Sequence, residues 1–153
     1  MEALTEQELR ACCAAPAWGS AILAGRPYPD RAALLAAADA AARELSWDDV
    51  VVALAAHPRI GERAAGDSTE AAWSRQEQSA AGQSTDLVAA NRAYEEKFGH
   101  VFLIFASGRG PQEILAAATR RLGNDPETER QVVRDELRKI ALLRLERVLD
   151  ARG

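Results

Sequence analysis

Apolar residues recur at steps of three and four along most of the chain, the period at which side chains share one face of an α-helix. Residues with clear capping chemistry mark where helices begin. Thr5 and Glu8 have the spacing of a capping box, so a first helix is predicted over residues 6–14. Asp30 is placed to cap the alanine-rich helix that follows it. Glycines after several apolar runs supply the stop signals.

Similar signals define the later helices. A helix that begins after a serine cap is predicted to end at His57, because Pro58 disfavours helical backbone at the residue before it. Another helix is predicted over Thr69–Ala80, and the longest runs from about residue 125 to 151. About eight helices result. The pattern therefore predicts an all-α bundle that forms a single domain over residues 1–153.

One apolar run lacks helical periodicity. Residues Val101–Ala106 follow a glycine that ends the preceding helix, and their composition is also typical of a short buried strand. No second strand is visible for such a strand to pair with. We therefore interpret the run as an extended core segment or the start of a buried helix, followed by a turn at Ser107–Gly110.

Composition narrows the class of protein. A chain of 153 residues with 48% hydrophobic and 27% charged residues is typical of a globular domain. The net charge of −4 argues against a nucleic acid partner, because phosphate binding requires a basic surface. No apolar run reaches membrane-spanning length and the N-terminus lacks a signal-peptide pattern, so we predict a cytoplasmic protein with no membrane partner. The adjacent Cys12 and Cys13 fit buried thiols in a reducing compartment.

His57 is the first candidate for chemistry. An imidazole titrates near neutral pH, and a helix end beside a proline turn holds it on a stiff backbone at the edge of a cavity. Such a group can donate or accept a proton during catalysis. A structural histidine is the alternative on position alone. The second histidine, His100, is interpreted as structural or partly exposed.

Two charged residues fall on faces that are otherwise apolar. Glu77 shares a helix face with Trp73, which favours partial burial and requires a partner. Arg144 lies on the apolar stripe of the last helix, where a guanidinium needs a carboxylate from the protein or from a ligand. A salt bridge for Glu77, and an ion pair of Arg144 with Glu77 or Glu62, are the structural alternatives. The apolar residues of the stripe are Val133, Leu137, Ile140 and Val148.

The sequence indicates neither metal nor nucleotide chemistry. A zinc site needs three or four converging ligands, and no such spacing occurs around His57 and Glu62. Neither a phosphate-binding loop nor the glycine pattern of a dinucleotide site is found. We therefore expect neither a metal ion nor a bound nucleotide cofactor.

Several motifs in register resemble the 2-oxo-4-hydroxy-4-carboxy-5-ureidoimidazoline (OHCU) decarboxylases of urate breakdown. The resemblance covers nearly the whole chain, and its most specific piece is Ala56–Glu62, which reads AHPRIGE. The other motifs that carry it are Cys12-Cys13, Arg26-Pro27-Tyr28, Ser74–Gln78, Lys97-Phe98-Gly99, Val101–Ala106, Arg121–Asp125 and Ile140–Leu145.

The resemblance implies an all-helical enzyme, often a homodimer, that converts the small molecule OHCU to (S)-allantoin without a cofactor. It places the family's catalytic histidine on His57, its catalytic glutamate on Glu77 and its substrate-binding arginine on Arg144. Two residues depart from the family pattern: His100 replaces an apolar or aromatic residue, and Phe105 is larger than usual. Further substrate contacts fall on Pro58, Ser74, Gln78, Phe102, Leu103, Ile104, Phe105 and Ala106.

Two other classes of function are alternatives to catalysis. A helical ligand-binding or scaffold module on the same fold is the main alternative. A helix-turn-helix regulator is disfavoured by the acidic charge and by the lack of a basic recognition helix in the sequence.

Overall fold

A computed structural model describes residues 4–57, 73 and 85–152, and every regular element within these ranges is a helix. The helices of the described residues are α1 (Glu6–Cys12), α2 (Pro16–Ala24), α3 (Arg31–Arg43), α4 (Trp47–Leu54), α5 (Thr85–Phe98), α6 (Pro111–Arg121) and α7 (Pro126–Ala151). The predicted all-α class is therefore confirmed, with a helix number near eight. The helix predicted over Thr69–Ala80 lies outside the described residues except for Trp73, which is helical.

The chain divides into two compact units. The terminal unit comprises Met1–Ala53 and Arg134–Gly153, and the central unit comprises Leu54–Val133. Helices α1 to α3 and most of α7 belong to the terminal unit, whereas α5, α6 and the first turns of α7 belong to the central unit. A single domain over residues 1–153 stays a prediction.

The start of α1 shows the predicted capping box. The Thr5 hydroxyl accepts a hydrogen bond from the Glu8 N–H at 3.1 Å, and the Glu8 carboxylate accepts one from the Thr5 N–H at 3.0 Å. The helix ends at Cys12 rather than Ala14, because Cys13 takes an extended conformation with φ −152°. Both cysteines are buried thiols, as predicted. Asp30 caps α3 through a 2.8 Å bond from the Ala33 N–H to its carboxylate.

Specific polar contacts join the helices of the terminal unit around an apolar core. The buried Trp18 of α2 donates its indole N–H to the Ala38 carbonyl of α3 at 3.0 Å. Arg138 of α7 pairs with Asp39 of α3 at 2.8 Å. The pKa of the Asp39 carboxyl is lowered, first by its hydrogen bond to Arg43 and then by Arg138. The largest buried apolar side chains of this unit are Leu9, Trp18, Ile22, Leu34, Leu137 and Leu145.

Helix α4 is shorter than predicted. It ends at Leu54, and the residues from Ala55 to His57 form a turn in which the His57 N–H donates to the Leu54 carbonyl at 3.0 Å. The predicted end at His57 is therefore wrong. Proline in the sequence at position 58 excludes helical backbone at His57 but does not require the helix to extend that far.

The central unit contains the apolar segment Val101–Ala106, for which the sequence allowed either an extended core segment or the start of a buried helix. Val101–Ala106 has neither helical nor strand structure, which excludes the start of a helix, and most of its residues are buried, as predicted for a core segment. It begins just after Gly99 and ends just before Gly108, and both glycines have φ +79°. This left-handed backbone favours glycine, so the predicted helix end and turn are explained by residues that lack a Cβ.

We expect Trp18→Phe to lower the free energy of unfolding by about 1–3 kcal/mol, because the variant leaves the buried Ala38 carbonyl without its donor. Urea unfolding monitored by circular dichroism measures the loss. The matched control is Tyr28→Phe, which removes a half-buried hydrogen bond to the Ile22 carbonyl. The control should cost less, because the Tyr28 side chain is half-buried whereas Trp18 is fully buried. Equal losses in the two variants would contradict the assignment.

Candidate active site

His57 lies on the turn after α4 and its side chain is half-buried. The backbone bond to the Leu54 carbonyl fixes this turn directly against the end of the helix. His57 therefore lies three residues beyond the end of an apolar helix, on a turn rather than at the last residue of the helix. A half-buried imidazole on a backbone held in this way can donate a proton to a bound ligand or accept one from it.

Arg144 is buried in the terminal unit with only 1% of its surface exposed. The stripe that predicted its position is confirmed, since Val133, Leu137, Ile140 and Val148 are all buried. One guanidinium nitrogen of Arg144, Nη1, donates to the Ala11 carbonyl at 3.4 Å. Because arginine keeps its charge in proteins, a guanidinium at this depth must gain enough from its contacts to offset the loss of water.

The predicted meeting of three charged groups stays a prediction. His57 belongs to the central unit and Arg144 to the terminal unit, and Glu77 lies outside the described residues. The same holds for the predicted contacts Pro58, Ser74 and Gln78, which lie outside the described residues. Trp73, the expected neighbour of Glu77 on one helix face, is half-buried and helical.

The segment predicted to contact the substrate through its backbone is buried. Phe102, Leu103, Ile104 and Ala106 are each at most 3% exposed, and Phe105 is half-buried. The Leu103 carbonyl accepts a bond from Arg121 Nη1 at 2.8 Å, and the Phe105 carbonyl accepts one from Arg109 Nε at 2.9 Å. Arginine side chains thus donate the hydrogen bonds that a neighbouring strand would donate in a β-sheet.

A buried ion pair anchors this segment to the helices of the central unit. Arg121 of α6 and Glu129 of α7 are 4% and 0% exposed, and Glu129 Oε2 accepts from Arg121 Nε at 2.9 Å and from Nη2 at 2.5 Å. The Tyr94 hydroxyl of α5 donates to the same oxygen, and Asn124 Nδ2 donates to Oε1 at 3.0 Å. The Arg121 guanidinium also lies 4.6 Å from the centre of the Phe102 ring. Four separate parts of the unit therefore meet at one carboxylate.

Glu129 is not among the residues predicted to carry a role, although the sequence pattern contains a signal for its burial. Glu129 precedes Val133 by four residues, so it continues the same inward stripe that singled out Arg144. Extending the stripe by one turn would have predicted a buried acid. Its partner Arg121 is named from the sequence only as part of a family motif. The spacing of apolar residues within one helix does not show which residue of another helix it pairs with.

His100 packs as an aromatic side chain. Its ring lies edge-on to Tyr94 at 5.5 Å and stacks on Phe98 at 6.2 Å, while Nδ1 lies 3.0 Å from the Val101 carbonyl oxygen. The residue is half-buried, which agrees with the prediction of a structural or partly exposed histidine. His100 thus fills the place where the family pattern has an apolar or aromatic residue.

The described residues contain no cluster of three or more histidine, cysteine or acidic side chains arranged to hold a metal ion. In the same part of the chain, no helix combines the length and the apolar character required to cross a membrane.

Comparison with known proteins assigns the chain to a family. The sequence model of the OHCU decarboxylase family matches residues 2–146. The chain belongs to the OHCU decarboxylase family. This match confirms the family that the sequence motifs predicted, of which AHPRIGE is the most specific.

Two relatives show how far the family likeness extends. The chain is 32% identical over 141 residues to the 2-oxo-4-hydroxy-4-carboxy-5-ureidoimidazoline decarboxylase of Amia calva, covering 88% of this chain and 81% of that protein. It is 32% identical over 148 residues to the uric acid degradation bifunctional protein TTL of Arabidopsis thaliana, covering 92% of this chain. The match spans only 46% of the Arabidopsis protein, so it covers about half of that relative's length.

Solved structures show the same helical fold. A crystal structure of OHCU decarboxylase in the presence of (S)-allantoin matches with a TM-score of 0.77 and 29% identity, covering 95% of this chain and 99% of that one. The crystal structure of (S)-allantoin synthase shares the fold at a TM-score of 0.63 and 23% identity, covering 91% of this chain and 47% of that one.

We expect the Tyr94 phenol to resist ionisation in the folded family member. Burial raises its pKa, and so does its hydrogen bond to the Glu129 carboxylate. Because the folded pKa exceeds the unfolded value of about 10, the contribution of Tyr94 to stability is complete below that pH and is lost as the pH rises above it. Phenolate absorbance of the Tyr28→Phe variant, in which Tyr94 is the remaining tyrosine, measures this. Ionisation near pH 10 in a chain still folded by circular dichroism would contradict it.

Proposed function

We propose that the chain catalyses the cofactor-independent decarboxylation of OHCU to (S)-allantoin in urate breakdown. The observation that carries the proposal is the family match over residues 2–146. The structural likeness to an OHCU decarboxylase crystallised with (S)-allantoin supports it further. The proposed enzyme is thus a carboxy-lyase that acts on a small ureido acid.

The chemistry of this substrate requires little from the protein beyond orientation and one proton. The bond between ring carbon C4 and its carboxylate breaks, carbon dioxide leaves, and the electron pair moves into the ring towards C5, which leaves the C4 hydroxyl as an enol. The adjacent carbonyl and nitrogen system of the substrate delocalises that pair, which is the task that a cofactor performs in many decarboxylases. The neighbouring ring carbon C5, which bears the ureido group, then takes up a proton, while the C4 hydroxyl loses its proton and becomes a carbonyl of allantoin. Protonation of C5 from one face gives a single enantiomer.

His57, Glu77 and Arg144 are the proposed catalytic residues. In this proposal the imidazole of His57 delivers the proton from one side of the substrate. Glu77 holds the hydroxyl or ureido donors and tunes the imidazole. Arg144 holds substrate oxygens, and its 1% exposure supports this role because charge-assisted hydrogen bonds are strong where water is excluded. The proposed further contacts are Pro58, Ser74, Gln78, Phe102, Leu103, Ile104, Phe105 and Ala106.

The proposal includes the setting in which the enzyme works. We propose a single domain over residues 1–153 that assembles as a homodimer in the cytoplasm. Sedimentation of the purified chain distinguishes a dimer from a monomer of 16.5 kDa. Cell fractionation tests the compartment, and recovery with membranes would contradict it.

We expect His57→Asn to lower the rate of (S)-allantoin formation by a factor of about 10²–10⁴, the usual contribution of a positioned general acid or base. Asparagine keeps a polar side chain of similar reach but cannot transfer the proton. Circular dichroism of the product measures the result on freshly generated OHCU, because spontaneous decay of OHCU gives racemic allantoin. A second spectrum in the far ultraviolet verifies the fold.

The control is Asp48→Asn, an exposed change in the first turn of α4, which should leave turnover unchanged. Normal formation of (S)-allantoin by His57→Asn would remove His57 from the mechanism. If the unaltered chain binds (S)-allantoin in calorimetry but turns over no OHCU, a non-catalytic ligand-binding module is the better description.

We expect Arg144→Lys to lower kcat/KM about tenfold or more, because a lysine cannot make the paired hydrogen bonds of a planar guanidinium. Arg147→Lys is the matched control, since Arg147 is a half-buried arginine on the same helix. Steady-state kinetics of the two variants, with thermal unfolding run in parallel, measures the difference. Equal activity of the two variants would show that Arg144 serves the fold alone.

A further inference from the structure

The backbone of the core segment Val101–Ala106 has to be held by something other than secondary structure. The segment forms neither helix nor strand, yet most of its residues are buried. Buried peptide groups are costly without hydrogen-bond partners, so their positions depend on whichever side chains reach them. At the centre of the segment, the side chain that reaches the backbone is Arg121, through its 2.8 Å bond to the Leu103 carbonyl.

The orientation of Arg121 is itself fixed on three sides. Its Nε and Nη2 atoms donate to one oxygen of Glu129, which leaves Nη1 directed at the Leu103 carbonyl. The Phe102 ring covers one face of the guanidinium. Tyr94 and Asn124 hold the Glu129 carboxylate in turn. Because the guanidinium is planar and rigid, fixing two of its nitrogens fixes the direction of the third.

The neighbouring peptide groups differ from that of Leu103. Within residues 4–57, 73 and 85–152, the backbone N–H and C=O groups of Phe102 and Ile104 form no hydrogen bond, although the two residues are only 2% and 3% exposed. The carbonyls that accept from arginines belong to Leu103 and Phe105, two residues apart. The two carbonyls held by arginines therefore alternate along the segment with the peptide groups of Phe102 and Ile104.

We propose that Arg121 and Glu129 are positioning residues that hold the Leu103 peptide and thereby direct the peptide groups of Phe102 and Ile104 towards the substrate. This inference rests on the function proposed above. The ureido group and ring amides of OHCU or allantoin carry both donors and acceptors, which match the N–H and C=O groups of two peptides. Arg121 and Glu129 act through the backbone and do not touch the reacting atoms.

The test compares Arg121→Lys with Tyr94→Phe. A lysine ammonium cannot bind Glu129 through two nitrogens and also direct a third at the Leu103 carbonyl, so the anchor of the segment is lost. Tyr94→Phe removes a bond to the same carboxylate but keeps the contact between Arg121 and Leu103, which makes it the matched control.

Two readouts are taken well below the unfolding temperature of each variant. Calorimetry with (S)-allantoin should show a Kd raised about tenfold in Arg121→Lys and changed less than about threefold in Tyr94→Phe. NMR relaxation of the unliganded chain should show order parameters of the Phe102 and Ile104 amides falling from about 0.85 to about 0.6 in Arg121→Lys alone. Loss of order confined to this segment is not expected from a general loss of stability.

The proposal is overturned if folded Arg121→Lys keeps the affinity and the order parameters of the unaltered chain. It is also overturned if both variants lose affinity in proportion to their loss of thermal stability. Should Arg121→Lys not fold, the isosteric Glu129→Gln takes its place, with the same directions of change expected. If the unaltered chain does not bind (S)-allantoin, the proposed function fails, and the order parameters alone decide whether Arg121 positions the segment.

Discussion

A buried carboxylate and a buried guanidinium cannot be separated without a large cost, and the central unit is arranged around one such pair. Glu129 has no exposed surface and Arg121 has almost none. Removing one partner of a buried pair typically costs about 3–5 kcal/mol, because the other charge remains without compensation. Here the carboxylate also accepts hydrogen bonds from Tyr94 and Asn124, which helps to offset the loss of water. The pair therefore constrains α5, α6, the start of α7 and the core segment at once.

This constraint has a direct consequence for the proposed catalysis. An enzyme that uses the substrate's own electron sink depends on orientation, and irregular backbone provides orientation only when a rigid scaffold holds it. In the proposed mechanism, the segment Phe102–Ala106 obtains this rigidity from the arginine side chains that donate to the Leu103 and Phe105 carbonyls. In the terminal unit, Arg144 is likewise held within an apolar stripe rather than on a loop. Fixed charges and fixed peptides are then available before the substrate arrives.

Much of this could be predicted from sequence because the deciding interactions are local. Capping by Thr5 and Asp30 and the left-handed turn at Gly99 each depend on a few neighbouring residues, and each was found where predicted. The burial of Arg144 followed from the period of one helix. Family membership followed from motifs whose order along the chain could be compared directly.

The remaining features could not be predicted for one of two reasons. Some depend on contacts between residues that are distant in the sequence. Others, such as the residue at which a helix ends, are not determined by the neighbouring residues alone. The pairing of Arg121 with Leu103 and Glu129 joins three separate pieces of chain, and no single period contains it. The end of α4 at Leu54 shows the second kind, since a following proline sets only the furthest point that a helix can reach. For the same reason, the expectation that His57, Glu77 and Arg144 meet rests on family resemblance and not on the geometry of any one element.

The central claim is that an imidazole, a carboxylate and a guanidinium from distant parts of the chain surround one ligand. A crystal structure of this protein with (S)-allantoin bound tests it most directly. The account predicts side-chain atoms of His57, Glu77 and Arg144 within hydrogen-bonding distance of a single allantoin molecule. Allantoin bound elsewhere, with these three side chains opening onto separate surfaces, would contradict it.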